Sequence, residues 1–485
     1  MSGGWDAIVV GAGAAGGILA ARLTERGERV LLLEAGPDFP GEPPELLTTD
    51  LRIPVHEFDW GYLAEDRAIP LPRGRVVGGS SAVNAVAAVR PQPADVAAWG
   101  PEWTWEHCLR ALCRLEDDAE FGHEPYHGRG GPIRIERTDL RAAAPATRAA
   151  FEACLEAGYA DAPDQNAPGA TGVGAQPANV RDGARQSTLV TYLREARRRP
   201  ELELRADTLV DRVIVRGGRA TGVAIASGEV LEADQVFLSA GAYASPAILL
   251  RSGIGPAAEL AEAGVEAVAD LPVGEGLSDH PSIGVLAEAR DHSEIDRDLL
   301  IRFMLRVSFD GREGEEDVHI FGPFTETAVR TPMPPGGFVL AGFGARPLSR
   351  GSVRLRSTDP ADPPRIRLNY FDEPGDLDAL CGGVDLILEL YRTEPLASVT
   401  ERVLFPDPDE PASQRRELIR AVSLTDHHPV GTCAIGPVVD QHLRVHGVDG
   451  LRVCDASVMP DIPRANTNLA TMMVAERFAE LYESE

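Results

Sequence analysis

The 485-residue sequence predicts a mixed α/β fold: a Rossmann-like unit opens the chain, and an α+β region built on an antiparallel sheet follows. Three patterns predict it. Near the N-terminus, a short apolar run, a glycine turn, a helical stretch and a second apolar run follow one another in the order of a βαβ unit. The tract 201–240 ("LELRADTLVDRVIV", "GGRATGVAIA", "EVLEADQVFLSAG") is rich in strand formers, and "RGGR", Arg216 to Arg219, reads as a hairpin turn. Further on, Val353, Leu355, Ile366 and Leu368 alternate with polar neighbours, as a half-buried antiparallel pair does. On length alone the chain has room for two or three domains.

The opening segment is "WDAIVVGAGAAGGILAARLTERGERVLLLEAG". Ala7 to Val10 form a buried strand, and Gly11, Gly13 and Gly16 complete G-x-G-x-x-G directly after it. The spacing allows a tight turn, close backbone approach to a pyrophosphate, and close helix–strand packing. The helix N-terminus then offers free N–H groups to the anion. Leu31 to Leu33 form the next strand, and Glu34 ends it, 18 residues beyond Gly16. A carboxylate there can accept hydrogen bonds from ribose hydroxyls. These residues leave NAD and FAD as alternatives.

Composition narrows the partners. The net charge is −28, from 47 basic and 75 acidic residues, so phosphate backbones and anionic lipid are repelled. Every basic residue is arginine, which removes Schiff-base chemistry and a phosphate-loop lysine. No apolar run approaches the ~20 residues of a membrane helix. "MSGGWDAIVV" has no basic stretch or signal-like apolar core. The six cysteines form no C-x-x-C pair. The expectation is reduced thiols in a cytoplasmic protein with no nucleic-acid or membrane partner.

Several later segments add to the first motif: "GRVVGGSSAVNAVAAVR" (Gly74 to Arg90), "LSAGAYASPAILLRSGIGP", "LPVGEGLSDHP", "TDHHPVGTCAIG", and "DASVMPDIPRANTNLATMMVAE". Taken in order, they make the chain resemble the glucose–methanol–choline (GMC) flavoprotein oxidoreductases almost from end to end. The resemblance implies FAD bound in a discontinuous domain made of 1–150, 185–285 and 425–485, a substrate-binding domain at 286–424, and a connecting segment at 151–184. It places Ala14 and Ala15 with Gly11, Gly13 and Gly16 near the pyrophosphate, Glu34 on the ribose and Val210 near the adenine. Gly79, Asn84, Ala85 and Val86 fall at the flavin end. Asp455 and Ala456 fall near the pyrophosphate–ribityl region, and Thr467 at the start of the last helix joins the cofactor set. Certain choline-oxidising members attach FAD through a histidine just before the Asn84 position. Here that residue is Val83, so non-covalent FAD is expected.

Oxidising an alcohol needs a base for the hydroxyl proton, an aligned hydride acceptor, and donors for the charge developing on oxygen. Members of the family use a histidine followed by a proline-type residue and x-G-T, which matches His428, and a second His or Asn in the N-x-N segment, which matches Asn466. An amide donates but is no base, so the proton falls to His428 and hydride transfer to flavin N5 completes the reaction. His427 is expected in the substrate pocket. The expected function is oxidation of a small-molecule alcohol to a carbonyl with oxygen as acceptor. The alternatives are a dehydrogenase using another acceptor, or a flavin-containing lyase of the same family. No metal site is expected: Pro125 separates His123 from His127. His280 in "SDHP" reads as structural. Phe321 and Phe324 in "DVHIFGPF" read as pocket or core.

Overall fold

The computed structural model describes residues 4–53, 55–295, 302–309, 316–325 and 332–483. Two seven-stranded sheets organise them. In the first, Val30–Leu33 lies between Leu202–Arg205 and Trp5–Val10, all parallel. Val230–Leu238 runs parallel to Trp5–Val10 on one side and to Leu451–Val453 on the other. Its N-terminal half turns antiparallel to Arg219–Ile225, which pairs in a hairpin with Val210–Arg216. Gly217 and Gly218 make the turn with φ of +60° and +79°, the left-handed geometry that "RGGR" predicts. Parallel strands buried on both faces read as continuous apolar runs, which is why "IVV" and "VLLL" stand out in the sequence.

The helix Ala14–Glu25 packs on this sheet beside the last helix, Thr467–Glu483. A buried carboxylate, Glu476, fastens the two. It accepts from Arg22 Nη2 at 2.7 Å and the Tyr192 hydroxyl at 2.5 Å, and forms an ion pair with Arg114, whose Nε lies 2.8 Å away. That clamp fixes the depth of the last helix, and so the place of the turn before it.

The second sheet is antiparallel throughout, in the order Thr400–Phe405, Pro281–Ala289, Gly337–Gly344, Val318–Thr325, Phe303–Val307 and Gly172–Ala175. Leu424–Thr425 adds a short edge beside Pro281–Ser282. The segment 151–184, expected as a connection, thus contributes an edge strand to this sheet. Val353 and Ile366 do pair antiparallel, and both are fully buried, but in a separate three-stranded sheet with Glu275–Leu277.

Glu116, Asp118 and His127 meet in a buried cluster that residue spacing did not reveal. Arg90 and Arg137 pair with its carboxylates, and His127 Nε2 lies 3.0 Å from Asp164. His123 instead sits exposed against Glu124. Among the described residues, no helix is long and apolar enough to cross a membrane.

Candidate active site

One cavity of about 810 Å³ lies where the two sheets face each other, and most of the predicted residues line it. Gly11, Gly13, Ala14 and Ala15 reach it from the first turn, and Glu34 from the end of the second strand. Gly79, Asn84, Ala85, Val210, Asp455, Ala456, Thr467, His427, His428 and Asn466 also line it. Gly16 does not. A Cβ there would lie 1.9 Å from the Gly11 carbonyl oxygen, so its lack of a side chain serves helix–strand packing. Val86 does not either: its side chain packs in a small cluster with Leu51, Ala178 and Val180. The backbone there turns through φ +56°, held by Asn84 Oδ1 accepting from the Val86 N–H at 3.0 Å.

The nucleotide side is shaped by close backbone approach. A Cβ on Gly79 would come within 2.7 Å of Gly13 Cα, so the two turns touch only because Gly79 lacks a side chain. No side chain caps the helix that begins at Ala14, leaving its first N–H groups for a ligand. Glu34 Oε2 and Oε1 accept from the N–H groups of Ala12 and Gly36, at 3.0 and 2.9 Å. Burial pushes its carboxyl up to about 7 even so. Asp455 spends its oxygens inside the protein: Oδ2 accepts from Gly241 N and the Ser245 hydroxyl, and Oδ1 from Ser457 N and its hydroxyl. It therefore organises the turn, and its backbone is what remains for a ligand.

The opposite wall carries His427, His428 and Asn466. The main chain runs from Leu424–Thr425 into a left-handed residue, His427 at φ +65°. A non-glycine residue holds that conformation only when its surroundings insist. Here Thr425 Oγ1 accepts from the His427 N–H at 2.7 Å, and Asp279 Oδ1 accepts from the His428 N–H at 2.7 Å. Asp279 is buried and also accepts from the hydroxyls of Thr425, at 2.5 Å, and Tyr370, at 3.1 Å. The His428 ring is thereby delivered to the cavity, where its Nε2 lies 3.1 Å from Asn466 Nδ2. Burial holds His428 well below the ordinary histidine value, with the neighbouring histidines and Arg73 adding to it, so the ring is neutral. Burial takes His427 down to about 3.

Met304, His319, Phe321, Phe324 and Phe343, from the antiparallel sheet, make an apolar and aromatic face to the same cavity. Phe321 and Phe324 meet edge to face at 5.5 Å. Sequence reasoning missed Asp279, Tyr370, Arg73 and His280 as parts of this site. His280, expected to be structural, touches His428: their Nδ1 atoms are 3.0 Å apart. Nothing local signals that contact, since 148 residues separate the two.

A glycine-lined turn against an uncapped helix, a buried carboxylate at the end of the second strand and a neutral imidazole opposite define a dinucleotide-dependent oxidoreductase. The family model GMC oxidoreductase matches residues 5–282 with its N-terminal part and 347–475 with its C-terminal part, and the chain belongs to that family. It is 36% identical to a 5-(hydroxymethyl)furfural oxidase of Methylovorus sp. (strain MP688), covering 98% of each chain. It is 33% identical to an oxygen-dependent choline dehydrogenase of Paraburkholderia phymatum, over 98% of this chain and 92% of the relative. The crystal structure of pyridoxine 4-oxidase from Mesorbium loti superposes with a TM-score of 0.91 at 30% identity, over 99% of each chain. The protein is thus an FAD-dependent oxidoreductase of the GMC type, a class that acts on CH–OH groups. Its own residues fit FAD: the Gly13–Gly79 contact leaves a side-chain-free cradle, and Glu34 and the uncapped helix supply the acceptor and donors an adenosine diphosphate requires.

Proposed function

We propose that this enzyme oxidises an alcohol to the carbonyl, with His428 as the base and Asn466 as the hydrogen-bond donor to the substrate oxygen. The observation that carries this reading is the His428 Nε2–Asn466 Nδ2 pair, 3.1 Å apart on the cavity wall. A substrate hydroxyl entering between them donates its O–H to Nε2 and accepts from Nδ2, replacing the hydrogen bond they now share. Neutral His428 is ready to take the proton without first losing one. Asn466 then stabilises the negative charge that develops on oxygen. Bound FAD supplies the hydride acceptor. The residues that would hold it are the first glycine turn, Glu34, Gly79, Asn84, Ala85, Val210, Asp455, Ala456 and Thr467, all on the same cavity.

The apolar face of Met304, Phe321, Phe324 and Phe343, three of them aromatic, supports a substrate whose CH–OH group is carried on a small planar ring. Relatives named for 5-(hydroxymethyl)furfural and pyridoxine oxidation agree with that class. We assign oxygen as the electron acceptor on the same footing, with His427 in the substrate pocket.

Anaerobic mixing with a panel of aromatic, aliphatic and amino-alcohols tests this. Flavin bleaching by an aryl methanol, followed by recovery on admitting air, is the expected result. A flavin that no alcohol bleaches would replace the oxidation by lyase chemistry. One that bleaches but recovers only with an artificial acceptor would make the protein a dehydrogenase.

A further inference from the structure

His280 is the ring in contact with the proposed base, and its hydrogen bonds can run in one direction only. Its Nε2 lies 3.2 Å from the carbonyl oxygen of Ala345. A carbonyl only accepts, so Nε2 carries the hydrogen. Burial holds the ring neutral, its pKa taken down to about 3, so Nδ1 is a bare acceptor. The group 3.0 Å from it, Nδ1 of His428, must then be the donor. Neutral His428 with its hydrogen on Nδ1 has its lone pair on Nε2, where Asn466 Nδ2 donates at 3.1 Å. The chain runs from the Asn466 amide through His428 and His280 to the Ala345 carbonyl, and the carbonyl, which can only accept, sets its direction.

The rings are held for this. His280 stacks on Phe343 with centroids 4.5 Å apart and planes 16° from parallel, and stands at 83° to the His428 ring. The other groups facing the pair do not supply the acceptor. Asp426 Oδ2 is 3.4 Å from His428 Nδ1, beyond a good hydrogen bond, and burial pushes its carboxyl well above the usual carboxylate range. Asp279 has its oxygens taken by the main-chain N–H groups of His280 and His428 and by Thr425 and Tyr370. His319 Nδ1 and Nε2 and His427 Nδ1 are buried without a hydrogen-bond partner, and Arg73 has no acceptor to offer.

We propose that His280 is a positioning residue that sets the tautomer of His428, aiming the lone pair at Nε2 into the cavity. The proposal rests on the reading of His428 as the base. A carboxylate in this place would also fix the tautomer but would raise the basicity of the ring. A histidine fixes it without that effect, so the proton taken from the substrate is given up again readily.

The test is 15N spectroscopy of the histidine-labelled, flavin-loaded protein, with the His428 signals assigned by their loss in His428→Ala. Wild type should show a protonated Nδ1 and an unprotonated Nε2 for His428. His280→Phe keeps a ring stacked on Phe343 but removes the acceptor. It should shift or average those signals and slow flavin reduction by about 100-fold or more, as a wrong tautomer does, with KM little changed. His280→Asn restores an acceptor oxygen near the Nδ1 position and should recover both the signals and most of the rate. Asp426→Asn should leave the Nδ1–H signal in place. A wild-type His428 protonated on Nε2 overturns the proposal even if His280→Phe does not fold. So does an Asp426→Asn protein that loses the tautomer while His280→Phe keeps it. If His428→Ala still reduces its flavin at the wild-type rate, the assignment of the base falls instead, and the spectra still report the tautomer.

Discussion

Nε2 of His428 and Nδ2 of Asn466 are 3.1 Å apart, although one residue follows the edge strand of the antiparallel sheet and the other opens the last helix of the nucleotide-binding unit. The pair exists only where the two halves of the molecule meet. Asn466→Ala removes one donor to the developing oxyanion and leaves the base, so kcat should fall by about 100- to 1,000-fold. His428→Ala should lower flavin reduction further, since the proton acceptor goes. Stopped-flow reduction with one alcohol ranks the two variants, and a wild-type rate in Asn466→Ala would separate Asn466 from the chemistry.

The pH profile follows from burial. His428 sits well below the ordinary histidine value of 6.5, so its neutral, base-competent form persists as pH falls through that value. kcat/KM should therefore stay level from pH 8 down to about pH 6 rather than halve near 6.5. A profile with an apparent pKa near 6.5 that disappears in His428→Ala would contradict the neutral, desolvated ring.

Gly79 is a tight point in the glycine-lined turn of the cavity. Its φ is +52°, and an added Cβ would sit 2.7 Å from Gly13 Cα. Gly79→Ala must push the two turns apart. The purified variant should carry much less FAD, read as the ratio of flavin to protein absorbance. Full occupancy would show that the turns can separate without cost.

The Glu476 clamp should matter to stability rather than to chemistry. Its carboxylate is fully buried and holds Arg22 and Arg114, which are 20% and 34% exposed. Removing it in Glu476→Ala leaves those guanidinium groups without their shared anion and should cost about 3 kcal/mol in urea unfolding of the flavin-loaded protein. An unchanged urea midpoint would show that Glu25 and Glu480 suffice as partners.

Val83 lines the cavity immediately before Asn84 and offers no nucleophile. Acid precipitation should release all of the flavin into the supernatant, and yellow colour retained in the pellet would mean a covalent bond elsewhere.

What the sequence determined by itself is what short-range spacing can encode. Gly11, Gly13, Gly16 and Glu34 specify strand, turn, helix and strand within one contiguous segment, and the structure has them so. "RGGR" specifies its hairpin because glycine alone tolerates the positive φ at both central positions. The motif around His428 and Asn466 was legible as ordered segments. Tertiary structure decided the rest. Val86 falls outside the cavity because a left-handed turn at that residue points its side chain into a neighbouring cluster. The strand at Gly172–Ala175 joins the second sheet because its partner lies at Phe303–Val307, far along the chain. Asp279, Tyr370 and His280 become part of the site only through hydrogen bonds to residues about 90 to 150 positions away. Such partners leave no periodicity to read, because a hydrogen bond depends on where folding brings two atoms and not on how many residues separate them.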